Sequence, residues 1–362
     1  MKFKFYFFFF VLLVFQGFGQ NLRQDIDSLF YGKDGLKVRY PKVGISIGII
    51  QGNKTHYFSI GNRFVNGGVT TDSSTVFEIG SATKTFTALL LAHEIASGRV
   101  AANAFIDTLL PKNFTLPDPI RNKVKLTDLA SQQSGLPNIS NDSYIAELFK
   151  KDSLQPFSLV DKAYMSNVLA KTTKLENYGK YQYNNYAFSL LGLLIGNKEN
   201  SDYEVVLKKR ILVPFKMKNT TLGKVKSSNV AGRYDSKGNS KDYIILDAMA
   251  PAGGLKSNAV DLVQYLKQQI QTSNTIMGEA IKLTQQQYYK DNKFELGLGW
   301  SIIKKGINIL YGKSGDTFGN SSSLIFDKAN KIGIVVLSNH QNSELVEMIF
   351  DKIYESLAKK NK

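Results

Sequence analysis

Apolar residues recur along this chain with two different periods, and the switch between them divides it. Near the start, Gly44-Ile45-Ser46-Ile47-Gly48-Ile49-Ile50 and His56-Tyr57-Phe58-Ser59-Ile60 are strand-like runs rich in β-branched and aromatic residues. Gln51-Gly52-Asn53-Lys54 between them supplies turn formers, so the pair predicts an antiparallel hairpin. Near the end, Leu324-Ile325-Phe326 and Ile332-Gly333-Ile334-Val335-Val336-Leu337 flank the turn-like Asp327-Lys328-Ala329-Asn330-Lys331. Beyond them Leu345, Met348, Ile349 and Ile353 fall at helical spacing and predict a closing helix over 343–358. The middle reads differently. Phe86, Leu89, Leu90 and Ile95 mark one face of a helix over 81–97, with Gly98 as its stop. Further helices are expected near 124–131, 159–170, 186–195 and 203–211.

This pattern predicts an α+β fold, in which an antiparallel sheet is built from both ends of the chain and flanked by helices, with a mostly helical lobe inserted between them. The expected boundaries are 20–80 with 245–362 for the sheet lobe and 81–244 for the helical lobe, the two forming one unit. No fixed-period repeat is visible.

The first 19 residues stand apart. Lys2 and Lys4 form a basic region, Phe5–Phe15 is an uninterrupted apolar run, and Gly17-Phe18-Gly19 offers small residues for a signal peptidase. An apolar run this short falls below the roughly 20 residues that span a bilayer, so cleavage rather than anchoring is expected. The mature chain is then periplasmic or secreted, keeps no membrane span, and is taken as a monomer. It contains no cysteine, which excludes both a disulfide framework and a lipid-modified cysteine. A chain of 362 residues can bury a core large enough to do without disulfides.

Composition adds a strong basic bias: 46 Lys and Arg against 30 Asp and Glu, a formal net charge of +16. Attraction to an anionic cell-envelope polymer or a carboxylated substrate is one reading, and a solvated lysine-rich surface is the other. Nucleic acid is excluded as a partner, since the basic residues are dispersed and no recognised binding module is present.

The chemistry resides in three separated motifs: Ser81-Ala82-Thr83-Lys84, Tyr183-Asn184-Asn185 and Lys313-Ser314-Gly315. Ser81 opens the expected helix after Gly80, where backbone N–H groups and the positive end of the helix dipole converge. A serine hydroxyl needs a base to become a nucleophile. Lys84 at i+3 lies on the same face and can reach it, and burial beside another cation would favour its neutral form. Tyr183, held near two lysines, could be stabilised as a phenolate and relay a proton. Asn185 offers a donor and an acceptor for a substrate amide. Lys313 supplies charge for a carboxylate, Ser314 a hydroxyl, and Gly315 room for close approach. The Asp316 N–H, with that of Ser81, is a candidate oxyanion donor. Ser-x-x-Lys recurs at Ser301/Lys304, in an expected strand, and at Ser356/Lys359 near the polar C-terminus; both are read as structural. Only His56, His93 and His340 occur, without a His-x-His pair, so no metal site is expected. A Gly-x-Ser-x-Gly elbow is also missing, and Gly297-Leu298-Gly299 is too short to count as a phosphate loop.

At these residues the sequence resembles the penicillin-recognising serine hydrolases, most closely the class C β-lactamase group with its D-alanyl peptidase and esterase relatives. Ser134-Gly135-Leu136-Pro137, Pro251-Ala252-Gly253-Gly254-Leu255 and Gly297-Leu298-Gly299-Trp300 match further landmarks, so the similarity spans nearly the whole mature chain. The resemblance implies a β-lactamase/transpeptidase-like fold and an acyl-enzyme on Ser81, with Lys84 and Tyr183 sharing base and acid roles. It also implies Asn185 and Lys313 in substrate recognition, and no metal or organic cofactor. Three departures stand out. Gln132-Gln133 replaces a frequent His-Thr, and Asp316 and Phe318 replace smaller residues, where a carboxylate would oppose an anionic substrate. Pro251–Leu255 leans toward the peptidase and esterase branch, and Lys313-Ser314-Gly315 toward the β-lactamase branch. The expected substrate is a β-lactam, with a D-Ala-terminated peptide or small ester as the alternative and a non-catalytic envelope-binding relative as a third reading.

Overall fold

The two apolar ends of the chain meet in one sheet. The computed structural model describes residues 22–139, 143–271 and 273–359, and the expected leader lies outside them. Strands β1 (Ile45–Gln51) and β2 (Lys54–Ile60) form the expected hairpin, with Ile45 opposite Ile60. Two short strands follow, β3 (Phe77–Glu78) and, much later, β4 (Lys256–Ser257), which pair with each other. The C-terminal third supplies β5 (Tyr289–Lys290), β6 (Glu295–Leu296), β7 (Ser301–Lys305), β8 (Asn308–Asp316), β9 (Ser321–Asp327) and β10 (Ile332–Ser338). The resulting eight-stranded sheet runs β2-β1-β10-β9-β8-β7-β6-β5, and its pairings are antiparallel.

β1, β9 and β10 are buried almost from end to end. Both sheet faces are covered, which is why these strands read as nearly continuous apolar runs rather than as alternating ones. Ile45, Ile47 and Ile49 pack on one side with Leu345, Ile349 and Ile353 of the closing helix Ser343–Lys359, and with Leu22, Ile26 and Phe30 of a helix over 22–31. Leu324, Phe326, Val335 and Leu337 face the other way, onto the helical lobe. There the helix Thr83–Ala96 is buried nearly all round, as expected of a helix enclosed on every side.

The helices expected in the middle are present with shifted ends. The first is short, Leu126–Ala130. The second begins at Lys162, because the Asp161 side chain accepts from Tyr164 N and caps it after a 3-10 turn at Pro156–Leu159. The third runs Asn185–Lys198 with Asn184 as its cap. The fourth, Tyr203–Leu207, continues as a π-helical turn over Lys208–Leu212. Among the described residues, no helix is long and apolar enough to cross a membrane.

One detail of the sheet builds the site. β7 pairs with β8 only as far as Gly312, opposite Ser301. Lys313 to Asp316 therefore keep β9 on one side and leave the other edge of β8 unpaired, next to the turn that carries Ser81.

Candidate active site

Ser81 lies in a single 3-10 turn, Gly80–Ala82, that joins β3 to the helix Thr83–Ala96. Gly80 adopts φ +49°, and a Cβ there would stand 2.5 Å from the Asp316 carbonyl oxygen. A Cβ on Gly315 would stand 2.5 Å from Ser81 N and 2.2 Å from Ile79 O. Glycine at both positions lets the turn and the end of β8 touch backbone to backbone. The main-chain N–H groups of Ser81 and Asp316 are thereby brought into one neighbourhood, the arrangement an oxyanion hole needs.

Lys84 is fully buried one turn into the helix. Its Nζ lies 3.1 Å from Ser81 Oγ and donates to Asn185 Oδ1 at 2.6 Å and to the Ala252 carbonyl at 2.7 Å. Two acceptors fix two N–H bonds, so in the neutral amine the lone pair can point at the serine hydroxyl. Burial, and then the nearby Lys313 charge, hold the Lys84 ammonium well below its usual value. That favours the proton-accepting form.

Tyr183 hydrogen-bonds Ser81 Oγ through its hydroxyl. Its loop is pinned from several sides. Asn138 Nδ2 donates to Tyr183 O at 2.8 Å, Asn184 N donates to Gln132 Oε1 at 2.6 Å, and Asn184 Nδ2 donates to Leu136 O at 2.7 Å. Burial raises the Tyr183 phenol well above its ordinary value, outweighing the Ser81 hydrogen bond, which works against the phenolate expected there. The Nζ atoms of Lys84 and Lys313 both lie 4.8 Å from the centre of its ring.

Lys313 projects from β8 toward this ring, and burial lowers its ammonium to about 8. Ser314 pairs in register with Ser323, and Gly315 with Ser322, whose hydroxyl donates to Ile79 O at 2.7 Å. Asp316 requires a correction. Its carboxylate accepts from the Ser321 hydroxyl and is stabilised by Ser343 at the start of the closing helix. The side chain is therefore engaged with its cross-strand partner, while its charge still reaches Tyr183 and pushes that phenol up. Asn185 also takes on a part not foreseen, since its carbonyl oxygen holds Lys84.

The two other Ser-x-x-Lys pairs are structural. Lys304 on β7 pairs with Glu295 at 3.0 Å, and the Ser356 hydroxyl donates to Asp25. Among the described residues no cluster of His, Cys, Asp or Glu could hold a metal ion. A cavity of 1570 Å³ is lined by Phe114, Tyr203, Tyr243, Pro251, Gly254 and Lys256; Ser81 and Lys84 do not line it.

Ala252 escaped the sequence reading, because it acts through its carbonyl, which leaves no side-chain signature, although the surrounding Pro251–Leu255 landmark marked the place. Gln132 stood out there as a departure, and its bond to Asn184 N is what that departure supplies.

A serine with a buried lysine at hydrogen-bonding distance and a tyrosine hydroxyl bonded to the same oxygen is an arrangement suited to acyl transfer. A sequence model of the Beta-lactamase family matches residues 27–356, and the chain belongs to that family. A beta-lactamase of Providencia stuartii is 25% identical over 336 residues, covering 82% of this chain and 82% of that protein. One of Pseudomonas fluorescens is 23% identical, over 90% of this chain and 96% of that one. In fold, the beta-lactamase/D-alanine carboxypeptidase from Pseudomonas syringae superposes with a TM-score of 0.78 at 19% identity, covering 94% of this chain and 99% of that one. A class C beta lactamase from Rhodobacter sphaeroides gives 0.77 at 17%, with the same coverage. The β-lactamase-like α+β fold expected from the sequence is thus the fold observed.

Proposed function

We propose that this protein hydrolyses β-lactam amides through an acyl-enzyme on Ser81. The observation that carries the reading is the Ser81–Lys84 contact at 3.1 Å, with Lys84 held by two acceptors and its ammonium destabilised by burial. Ser81 Oγ attacks the lactam carbonyl carbon while neutral Lys84 takes the hydroxyl proton. The oxyanion is stabilised by the N–H groups of Ser81 and Asp316. The C–N bond breaks, and the leaving nitrogen takes a proton from the Lys84–Tyr183 pair. Water then attacks the ester, its proton passes to the same pair, and Ser81 regains its hydroxyl. Lys313 binds the substrate carboxylate, with Ser314 and Asn185 alongside. No metal or organic cofactor enters these steps.

The test is intact-protein mass spectrometry over a time course with benzylpenicillin, alongside a chromogenic cephalosporin. Turnover with a transient adduct on Ser81, both lost in a folded Ser81→Ala protein, is the expected result. Hydrolysis persisting in Ser81→Ala would overturn the reading.

Pro251–Leu255 favours a second reading, a D-alanyl-D-alanine carboxypeptidase or small-ester hydrolase, because its Ala252 carbonyl takes part in the site through a segment of the peptidase and esterase type. A persistent penicillin adduct without turnover would select it. The basic leader and its short apolar run support export of the chain to the periplasm or beyond, where its charge suits an anionic envelope polymer.

A further inference from the structure

One buried carboxylate near Ser81 takes no part in the steps above. Glu78, at 2% exposure, sits on β3 three residues before the serine. Its Oε2 accepts from Thr317 Oγ1 at 2.8 Å, and its Oε1 accepts from Ile244 N at 2.8 Å. Its own N–H donates to Asn320 Oδ1 at 3.1 Å. Thr317 directly follows Asp316, and its hydroxyl also accepts from Asn320 N at 3.1 Å, closing the turn after β8. Ile244 belongs to a stretch whose Leu246 approaches Gly253, beside the Ala252 carbonyl that holds Lys84. Arg233 and Lys256 lie near enough to balance the Glu78 charge, and Lys256 is its strand partner.

Three walls of the site therefore converge on one side chain. The turn bearing the Ser81 N–H begins two residues after Glu78, the end of β8 bearing the Asp316 N–H runs on into Thr317, which is bonded to it, and Ile244, also bonded to it, belongs to the stretch that approaches the segment behind Lys84. A buried carboxylate survives only when its lone pairs are satisfied. Here the groups that satisfy it are the walls themselves.

We propose that Glu78 is a positioning residue for the oxyanion hole, setting the separation of the Ser81 and Asp316 N–H groups by clamping the turns that carry them. The proposal rests on the acyl-enzyme reading above. Glutamine at 78 leaves one acceptor for two donors. Thr317→Val removes this arm of the clamp, together with the acceptor for Gly319 N and Asn320 N, at constant shape, and Thr317→Ser keeps all three bonds.

The experiment compares Glu78→Gln, Thr317→Val, Thr317→Ser and the wild type by the rate of Ser81 acylation with benzylpenicillin, steady-state hydrolysis of a chromogenic cephalosporin, and melting temperature. Because a displaced oxyanion donor costs rate rather than binding, Glu78→Gln and Thr317→Val should acylate roughly 10- to 100-fold more slowly with KM changed less than about threefold. Thr317→Ser should stay within about threefold of wild type, and a Glu78→Gln, Thr317→Val double variant measured alongside should fall no further than the worse single one. Where Glu78→Gln does not fold, Thr317→Val against Thr317→Ser decides. Unchanged acylation in folded Thr317→Val, or a loss confined to KM, would overturn the proposal. A wild type that never acylates at Ser81 would instead sink the reading beneath it.

Discussion

Lys313 offers the sharpest quantitative check, because its charge titrates within reach of ordinary assays. Burial lowers its ammonium from 10.5 to about 8. With that value ~90% of the protein carries the Lys313 charge at pH 7 and ~3% at pH 9.5, a roughly 30-fold decline. A charge-assisted hydrogen bond to a carboxylate is worth roughly 1.5–3 kcal/mol, which limits the loss on neutralisation to about 10- to 150-fold. For a cephalosporin bearing its free carboxylate, kcat/KM should therefore fall by about 10- to 30-fold between pH 7 and 9.5, relative to the methyl ester of the same compound. The ester comparison cancels the titration of Lys84, which both substrates need. Alkaline unfolding at this residue does not imitate the effect. A lysine depressed in the folded state leaves the unfolded chain binding more protons between about 8 and 10.5, so its contribution to stability rises with pH across that window. A constant ratio of the two substrates over this range would refute the assignment of Lys313 as the carboxylate partner.

Two further outcomes follow from the packing. Tyr183→Phe removes the hydroxyl bonded to Ser81 while keeping the ring between the two lysines. Acylation by benzylpenicillin, followed by mass, should slow about 10²- to 10⁴-fold, as expected for loss of a positioned proton carrier; a rate within threefold of wild type would count against it. Gly192→Ala should destabilise, although glycine to alanine inside a helix ordinarily gains about 1 kcal/mol. A Cβ at 192 would stand 2.3 Å from the Pro251 ring, pushing on the segment whose next residue holds Lys84. A lower melting temperature together with a lower kcat is expected, and a rise in both would show that this wall yields.

The sequence by itself determined a good deal. Continuous apolar runs at both ends specified buried strands, and 3.6-residue spacing specified the helices, because each signal needs only local chain geometry. Ser81 and Lys84 were legible together because one helical turn fixes their separation. Tyr183 and Lys313 were legible as motif residues, but their distance from Ser81 was not, since it depends on how β8, the Asn185–Lys198 helix and the Thr83–Ala96 helix pack. Only the tertiary structure decided the protonation states. Whether Tyr183 is a phenol or a phenolate follows from burial, and burial is a property of the assembled fold. It alone turned the Asp316 carboxylate toward Ser321 and left its N–H beside Ser81. It alone recruited Ala252 and Glu78, one acting through a carbonyl that every residue carries and the other through partners Thr317 and Ile244, more than 160 positions away. Such contributions have no local pattern to read, because the energy that fixes them comes from groups brought together by packing of the whole chain.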